Sequence, residues 1–327
     1  MTSASSKPRR IVLAGGTGHV GRMLAERFHR QGDQVTIIAR HRLSGPRQSL
    51  LWDGHTVGDW ARVIDGADVV INLAGRSVNC RYNETKRRQI MESRIESTRV
   101  IGKAIGQSSH PPALWMNAST ATIYRHALDR PMDEATGELG GSEADAPATW
   151  RFSIEVAKSW EQALSEAATP DTRKIALRSA MTMSPDRDGI FDTLRKLVSV
   201  GLGGKAGTGR QFISWIHEDD FFSAVNFLIA RPDLQGTVNV CSPNPLPNRE
   251  FMAAFRKAYG VPIGLSAAQW MLEIGAVFLR TETELILKSR RVVPRRLLEA
   301  GFKFKYPEWP EAVANLVGRW RQLNADC

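Results

Sequence analysis

Short apolar runs alternate with amphipathic segments along the first 180 or so residues. Nearly continuous apolar runs are typical of strands buried on both faces of a parallel sheet. They occur at residues 11–14, 35–39, 68–75, 113–117 and 175–178. Between them, residues 84–106 and 155–168 have helical character, and Val20, Leu24 and Phe28 recur at the spacing of one helix face. This alternation predicts an α/β fold with a doubly wound parallel sheet.

A glycine-rich turn joins the first predicted strand to the first helix. Its residues are Gly15, Gly16, Thr17, Gly18, His19, Val20 and Gly21. The early glycines permit a tight turn, Gly18 lets a pyrophosphate approach the backbone, and Gly21 lets the helix pack close to the strand. The N–H groups and the dipole at the helix N-terminus favour phosphate. We expect a Rossmann-like dinucleotide site here; the alternative is a glycine turn without a ligand.

The end of the second predicted strand bears on the choice of dinucleotide. An NAD-binding protein would place Asp or Glu there, about 20 residues after the glycines, on the ribose 2′-hydroxyl. This chain instead has the sequence Ala39-Arg40-His41-Arg42. Two guanidinium groups and no carboxylate suit an adenosine 2′-phosphate. We therefore predict NADP as the cofactor, bound by Arg40 and Arg42; the alternative is a solvated basic loop.

The composition is that of a globular protein. Of 327 residues, 42% are hydrophobic and 24% are charged, which excludes a disordered chain, a collagen-like repeat and a disulfide-stapled mini-protein. The net charge of +10 favours anionic partners without choosing among nucleotides, nucleic acid and acidic membrane surfaces. Cys80, Cys241 and Cys327 lie far apart, so we expect no metal site and no disulfide framework.

The hydropathy pattern gives no sign of membrane insertion or export. No run approaches the roughly 18 apolar residues of a membrane span. Residues 1–9 belong to a Ser-rich, basic stretch with no apolar segment behind it, which predicts a disordered tail and not a signal peptide. We expect a soluble, cytoplasmic protein.

Motifs at the ends of the later strands carry a family resemblance. They are Asn72-Leu73-Ala74-Gly75 and Ser119-Thr120-Ala121-Thr122-Ile123-Tyr124. Together with the glycine turn, they resemble the extended short-chain dehydrogenase/reductase superfamily. Residues 201–220, with Trp215-Ile216-His217 near their end, and residues 293–302 are similar to an atypical subgroup of it. That subgroup consists of epimerase-like, NADP-binding proteins with a C-terminal domain of unknown function.

The resemblance, which covers about residues 10–320, implies two lobes. An NADP-binding Rossmann domain would comprise residues 10–185, completed by about 212–242. A smaller substrate lobe would comprise residues 186–211 and 243–327. The expected cofactor-binding residues are Gly15, Gly16, Thr17, Gly18, His19, Val20, Arg40, Arg42, Asn72, Leu73, Ala74, Gly75, Ser119 and Arg178.

The sequence offers fewer candidate residues for the substrate than for the cofactor. By analogy with the family, Arg210 would face the substrate, where its guanidinium could bind an anion; the alternative is a surface arginine. Arg81 and Tyr82 lie in a loop that could reach the same pocket. His217 is expected to be a packed structural histidine, and Asp219 and Asp220 suit the first turn of the following helix.

The catalytic pattern of the wider superfamily is missing. Its members use Ser or Thr, Tyr, and Lys four residues later, and the ammonium lowers the pKa of the phenol. On the helix after the predicted strand at residues 113–117, the Tyr position is Ser153 and the Lys position is Ala157. If chemistry occurs, we expect Thr120 to orient the substrate and Tyr124 to donate the proton. The alternatives are a strand-end cap for Thr120 and aromatic packing for Tyr124.

The last third of the chain is predicted to contain two helices and a basic cluster. Residues 250–259 and residues 267–279 have helical spacing, and the second segment is strongly apolar. Arginines follow at positions 290, 291, 295 and 296. They could bind an anionic substrate, although we favour a solvated basic face.

These sequence features support three hypotheses for function. The first is an NADP(H)-dependent oxidoreductase or epimerase-like enzyme acting on a small carbonyl or alcohol substrate. The second is an NADP(H)-binding redox sensor or scaffold with little catalysis, which the missing Tyr–Lys pair favours. The third, nucleic-acid binding, rests on net charge alone and we expect no such partner. The sequence does not identify the substrate or the direction and stereochemistry of hydride transfer. It also leaves open whether the protein forms a homodimer.

Overall fold

A computed structural model describes residues 7–41, 48–80, 82–144, 146–187, 189–267 and 284–325. The strands are β1 (Arg10–Ala14), β2 (Gln34–Ala39), β3 (Gln48–Leu51), β4 (Val69–Asn72), β5 (Leu114–Thr120), β6 (Arg173–Ser179), β7 (Met181–Met183), β8 (Phe212–Ile213), β9 (Trp215–His217), β10 (Gly236–Val240) and β11 (Leu246–Pro247). The helices are α1 (His19–Arg30), α2 (Glu84–Gly106), α3 (Ala148–Glu166), α4 (Ile190–Ser199), α5 (Glu218–Ala230), α6 (Asn248–Tyr259), α7 (Glu284–Leu287), α8 (Arg295–Glu299) and α9 (Trp309–Ala325).

Seven strands form one parallel sheet in the order β3-β2-β1-β4-β5-β6-β10. The central strand β1 pairs with β2 on one side and with β4 on the other, so the strand order reverses there. Ligands on such sheets bind beyond the carboxyl ends of the strands at this switch point. The predicted doubly wound α/β fold is confirmed.

Side chains alternate between the two faces of the sheet and build two cores. Ile11 and Leu13 pack with α1 and α5, for example against Phe28. Val12 and Ala14 pack on the opposite face, where the helices are α2 and α3. The fully apolar sequence of β1 follows from this burial on both faces.

A third core lies beside the sheet, among α4, α6 and α9. The rings of Phe251 and Trp309 stack at 4.0 Å between centroids, and Phe191 and Phe255 pack next to them. The helix predicted over residues 250–259 is α6. The predicted apolar helix over 267–279 lies, beyond Ala267, outside the described residues. This core belongs to the proposed substrate lobe, whose boundaries stay a prediction.

The described ranges contain neither a candidate membrane-spanning helix nor a candidate metal-binding cluster. None of the helices found there combines the length and apolar character that a membrane span requires. The same part of the chain contains no group of three or more His, Cys, Asp or Glu side chains arranged to hold a metal ion.

Candidate functional site

The glycine turn after β1 is packed backbone against backbone. Gly15 has φ of 73°, and a Cβ there would lie 2.8 Å from the Cα of Ala74. A Cβ on Gly21 would lie 2.6 Å from the Cα of Gly16, so only glycine lets α1 approach the turn this closely. A Cβ on Gly18, in contrast, would meet only the carbonyl oxygen of Gly15, at 3.6 Å, among the described atoms. The space that a side chain at position 18 would fill is therefore open among the described atoms.

The N-terminus of α1 is suited to an anion. Its N-cap residue is Gly18, and among the described residues no side chain caps the helix and no acidic residue occupies its first turn. The positive end of the helix dipole and its N–H groups are therefore available to a phosphate.

His19 supplies a second sign of a bound group. Both ring nitrogens are buried, yet neither has a hydrogen-bond partner among the described residues. Its ring packs against Gly189, where a Cβ would lie 2.8 Å from His19 Cε1. Because buried polar atoms in native proteins are nearly always satisfied, His19 fits a ligand that contacts this end of α1. A dinucleotide fits these residues.

The residues predicted to choose the cofactor lie at the end of β2. Arg40 directly follows this strand and its side chain is exposed. Because β2 neighbours β1, Arg40 lies at the same edge of the sheet as the glycine turn. Arg42 lies outside the described residues.

Asn72, a predicted cofactor contact, has its side chain hydrogen-bonded within the fold. Its side chain is 0% exposed. Its Nδ2 donates to Asn117 Oδ1 at 2.7 Å, and its Oδ1 accepts from the backbone N–H of Ala74 at 3.0 Å. This side chain shapes the turn after β4, and its contact with the cofactor stays a prediction. The backbone of Leu73, Ala74 and Gly75, which passes Gly15, stays a candidate for that contact.

Ser119 and Arg178, whose cofactor contacts stay predictions, are also hydrogen-bonded within the fold. Both lie on the α3 side of the sheet and both bind Glu161. Ser119 Oγ donates to Glu161 Oε1 at 2.6 Å, and Arg178 Nε and Nη2 donate to the same carboxylate at 2.8 and 2.7 Å. This ion pair is buried, so both side chains are occupied in a structural cluster.

Tyr124 belongs to the same cluster. Its ring is 2% exposed, its hydroxyl donates to Asn239 Oδ1 at 3.0 Å, and it accepts from Arg178 Nη1 at 2.9 Å. Burial raises the pKa of Tyr124 to about 12, although Arg178 opposes this shift. Among the described residues, Tyr124 does not line the cavity at the carboxyl ends of β5 and β6. The expected proton donor therefore has the surroundings of a structural tyrosine.

A cavity of about 410 Å³ lies at the carboxyl ends of β5 and β6. Thr120 and Ser179, the last residues of these two strands, reach it from the sheet. Most of its other lining residues come from α2, α3, α4, α6 and α7, and they are mostly apolar. A largely apolar cavity with a few polar groups is typical of small-molecule sites.

The structure brings Ser153, Glu284 and Arg290 together in this cavity. Ser153 Oγ donates to Glu284 Oε2, although the two residues are 131 positions apart. Glu284 is 1% exposed, and Arg290 Nη2 lies 3.8 Å from its Oε1. Arg290 Nε donates to Thr122 Oγ1 at 3.0 Å. Arg290 is therefore not part of a solvated basic face, the alternative favoured from the sequence.

The remaining predicted residues are placed as follows. Tyr82 lines the cavity, with its ring 5.3 Å from that of Phe152. Arg81 lies outside the described residues. Arg210 is exposed and does not line this cavity in the described part of the chain. His217 is buried and caps α5 by accepting from the N–H of Asp219 at 3.0 Å, as expected of a structural histidine.

Lys288 lies behind the cavity and is almost fully buried. Its Nζ donates to the carbonyl oxygen of Thr122 at 2.7 Å. Burial lowers the pKa of Lys288 to about 7; Arg290 adds to this shift, whereas Glu284 and Glu143 oppose it. At neutral pH this lysine can therefore lose its proton within the fold.

We expect Lys288 to make the folding stability depend on pH. The unfolded lysine holds its proton up to about pH 10.5, whereas the folded one releases it near pH 7. Stability should therefore rise between pH 7 and pH 9. The melting temperature of the wild type should rise over that range by about 2–4 °C more than that of Lys288→Met. Parallel curves for the two proteins would contradict the depressed pKa.

Two known family models match this sequence. The model of the NAD dependent epimerase/dehydratase family matches residues 11–241. The chain belongs to this family. A second model, a domain of unknown function designated DUF1731, matches residues 267–316. The resemblance to an epimerase-like subgroup with such a C-terminal domain is confirmed.

Relatives match along almost the full chain. The mouse epimerase family protein SDR39U1 is 28% identical over 317 residues, which cover 94% of this chain and 99% of the relative. The epimerase family protein Mb2239 of Mycobacterium bovis is 30% identical over 310 residues, with 94% and 98% covered.

Solved structures agree with the fold. The crystal structure of human SDR39U1 (isoform 2) with NADPH superposes with a TM-score of 0.82 at 27% identity, covering 94% of this chain and 99% of that one. A nucleoside-diphosphate sugar epimerase from Corynebacterium glutamicum superposes with a TM-score of 0.73 at 25% identity. It covers 98% of this chain, which spans 62% of that protein.

Proposed function

We propose that this protein is an NADP(H)-dependent oxidoreductase or epimerase-like enzyme that acts on a small carbonyl or alcohol substrate. The observation that carries this proposal is the cavity at the ends of β5 and β6. Neighbouring strands lie about 4.8 Å apart, so β5 lies about 10 Å from β1 along the same edge. A dinucleotide held at the glycine turn would therefore extend its nicotinamide towards Thr120 and Ser179.

Two features support a dinucleotide, and two more favour one with a 2′-phosphate. The uncapped start of α1 would hold the pyrophosphate against the backbone near Gly18, and His19 would contact the cofactor with its unsatisfied ring. Arg40 would bind the 2′-phosphate. The relative SDR39U1, at 27% identity, was crystallised with NADPH. When bound, the nicotinamide would supply or accept the hydride.

Ser153 and Glu284 would handle the proton. In alcohol oxidation the substrate hydroxyl would pass its proton to Ser153 Oγ, while the Ser153 proton passes to the Glu284 carboxylate. Carbonyl reduction would run the same transfers in reverse. Thr120, which lines the same cavity, would orient the substrate oxygen. We assign the proton transfer to this pair and not to Tyr124, whose hydroxyl is held by Arg178 and Asn239.

The second candidate function is NADP(H) binding with little turnover. It is favoured by Ala157, a buried apolar residue at the position where the superfamily has its lysine. Two experiments distinguish the enzyme from the binding protein. The protein is titrated with NADPH and NADH, and a panel of carbonyl compounds is then monitored by NADPH absorbance. Consumption of NADPH on a member of the panel supports the enzyme. Tight binding without consumption across a broad panel supports the sensor or scaffold.

The assignment of Arg40 makes a specific prediction. Arg40→Asp should weaken NADPH binding by about 100-fold, because it removes a charge-assisted contact and adds repulsion. NADH binding should change by less than about threefold, since NADH has no 2′-phosphate. Arg30→Asp, at an exposed position on α1, is the matched control and should leave both affinities unchanged. Equal losses for both cofactors with Arg40→Asp would contradict the assignment.

A further inference from the structure

Arg94 places a positive charge at the cavity, and the described residues supply no matching negative charge. It lies on α2 and lines the cavity. Its Nη1 donates to two neutral acceptors, the carbonyl oxygens of Arg76 at 3.1 Å and Ile90 at 3.0 Å. No carboxylate of the described residues forms an ion pair with it. Two other guanidinium groups near the cavity differ, because Arg178 pairs with Glu161 and Arg290 with Glu284.

The charge on Arg94 persists at neutral pH. Burial lowers the pKa of its guanidinium to about 10, which still leaves the group protonated near pH 7. Its Cζ lies 5.0 Å from the ring centre of Trp160, and Gly75 leaves room for the side chain because a Cβ there would lie 3.1 Å from Arg94 Cζ. A buried charge costs free energy unless it is paired. A ligand carrying a negative charge would provide that pairing.

The side chains that line the cavity near Arg94 indicate the chemistry of the rest of such a ligand. Tyr82, Phe152, Val156 and Trp160 form an aromatic and aliphatic surface on this side of the cavity. Thr120 and Ser153, the groups proposed to contact the reacting oxygen, line the same cavity. We propose that this protein takes substrates that carry an anionic group, a carboxylate or a phosphate, on a compact apolar body, and that Arg94 binds the anionic group. That the substrate reacts beside Thr120 and Ser153 rests on the proposed function. The binding of its anionic group to Arg94 does not.

Direct binding tests this inference without turnover. The probes are 2-naphthoate, 2-naphthyl phosphate and the uncharged 2-naphthalenemethanol, titrated into the NADPH-loaded protein by calorimetry. At least one anionic probe should bind the wild type about tenfold or more tightly than the alcohol does, and the preferred anion identifies carboxylate or phosphate. Arg94→Gln should lose this preference and leave the affinity for the alcohol unchanged. Arg88→Gln, an exposed position on the same helix, is the control and should retain it.

Each other outcome overturns the inference. Equal binding of the alcohol and both anions to the wild type would do so, as would a failure of both anions to bind. A preference retained by Arg94→Gln would contradict the role of Arg94. Loss of NADPH affinity in that variant with unchanged probe binding would assign Arg94 to a cofactor phosphate.

Two controls keep these results interpretable. Arg94→Lys preserves the charge and should retain part of the preference, so it replaces the glutamine variant if that variant does not fold. Failure of the proposed function would appear separately, as NADPH that binds and is not consumed, while the anion preference persists.

Discussion

Substitution of Gly18 by valine is expected to weaken NADPH binding by at least about 100-fold while the protein stays folded. Gly18 has φ of −70° and ψ of 170°, an extended conformation that valine adopts readily. A Cβ there meets only the carbonyl oxygen of Gly15 among the described atoms. The added side chain would therefore occupy the space through which the pyrophosphate approaches the backbone. Valine is a poor N-cap residue, so a small loss of stability, about 1 kcal/mol, is expected.

Gly21→Ala is the matched comparison, because it alters the same turn by a different mechanism. Its Cβ would lie 2.6 Å from Gly16 Cα, so α1 would have to move and the free energy of unfolding should fall by about 2 kcal/mol or more. Thermal denaturation and NADPH titration of both variants separate the two effects. Wild-type NADPH affinity in Gly18→Val would mean that the cofactor does not pass this residue.

Substitution of Glu284 by glutamine is expected to lower turnover by about 10²- to 10⁴-fold, the range for loss of a general acid or base. Glutamine keeps the shape and an acceptor for the Ser153 hydroxyl, but it cannot take up the proton. The affinity for NADPH should stay unchanged. The measurement is kcat and KM for a substrate found in the carbonyl panel, together with the NADPH dissociation constant.

Two further variants test the proton path. Ser153→Ala should lower kcat by a similar factor, and the double variant should be no slower than either single one, because both residues serve one transfer. Tyr124→Phe should retain most of the turnover, since its hydroxyl bonds to Arg178 and Asn239. Loss of turnover in Tyr124→Phe with normal turnover in Glu284→Gln would restore Tyr124 as the donor.

The sheet and its helices were largely predictable from local pattern. Helix α2 has the predicted bounds, since Asn83 caps it by accepting from the N–H of Lys86 and a long amphipathic segment follows. Strand β3 (Gln48–Leu51) was not predicted. It is a short edge strand that pairs only with β2 in the described sheet, so its sequence lacks the continuous apolar run of a central strand.

The glycine turn was predictable for the same reason. Strand, turn and helix are contiguous, so the glycine spacing by itself specifies how closely α1 can approach β1. The family resemblance was also visible in contiguous segments, which the matches over residues 11–241 and 267–316 confirm.

The sequence by itself therefore determined the parallel α/β sheet, the glycine turn and the family. Only the tertiary structure decided which strand-end side chains face the cavity. Successive side chains on a strand point to opposite faces, so a difference of one position moves a residue from one environment to the other. Thus Ser119 and Arg178 turn to Glu161, whereas their neighbours Thr120 and Ser179 line the cavity. Ser153 and Glu284 are 131 positions apart in the chain, so no local sequence pattern indicates their contact.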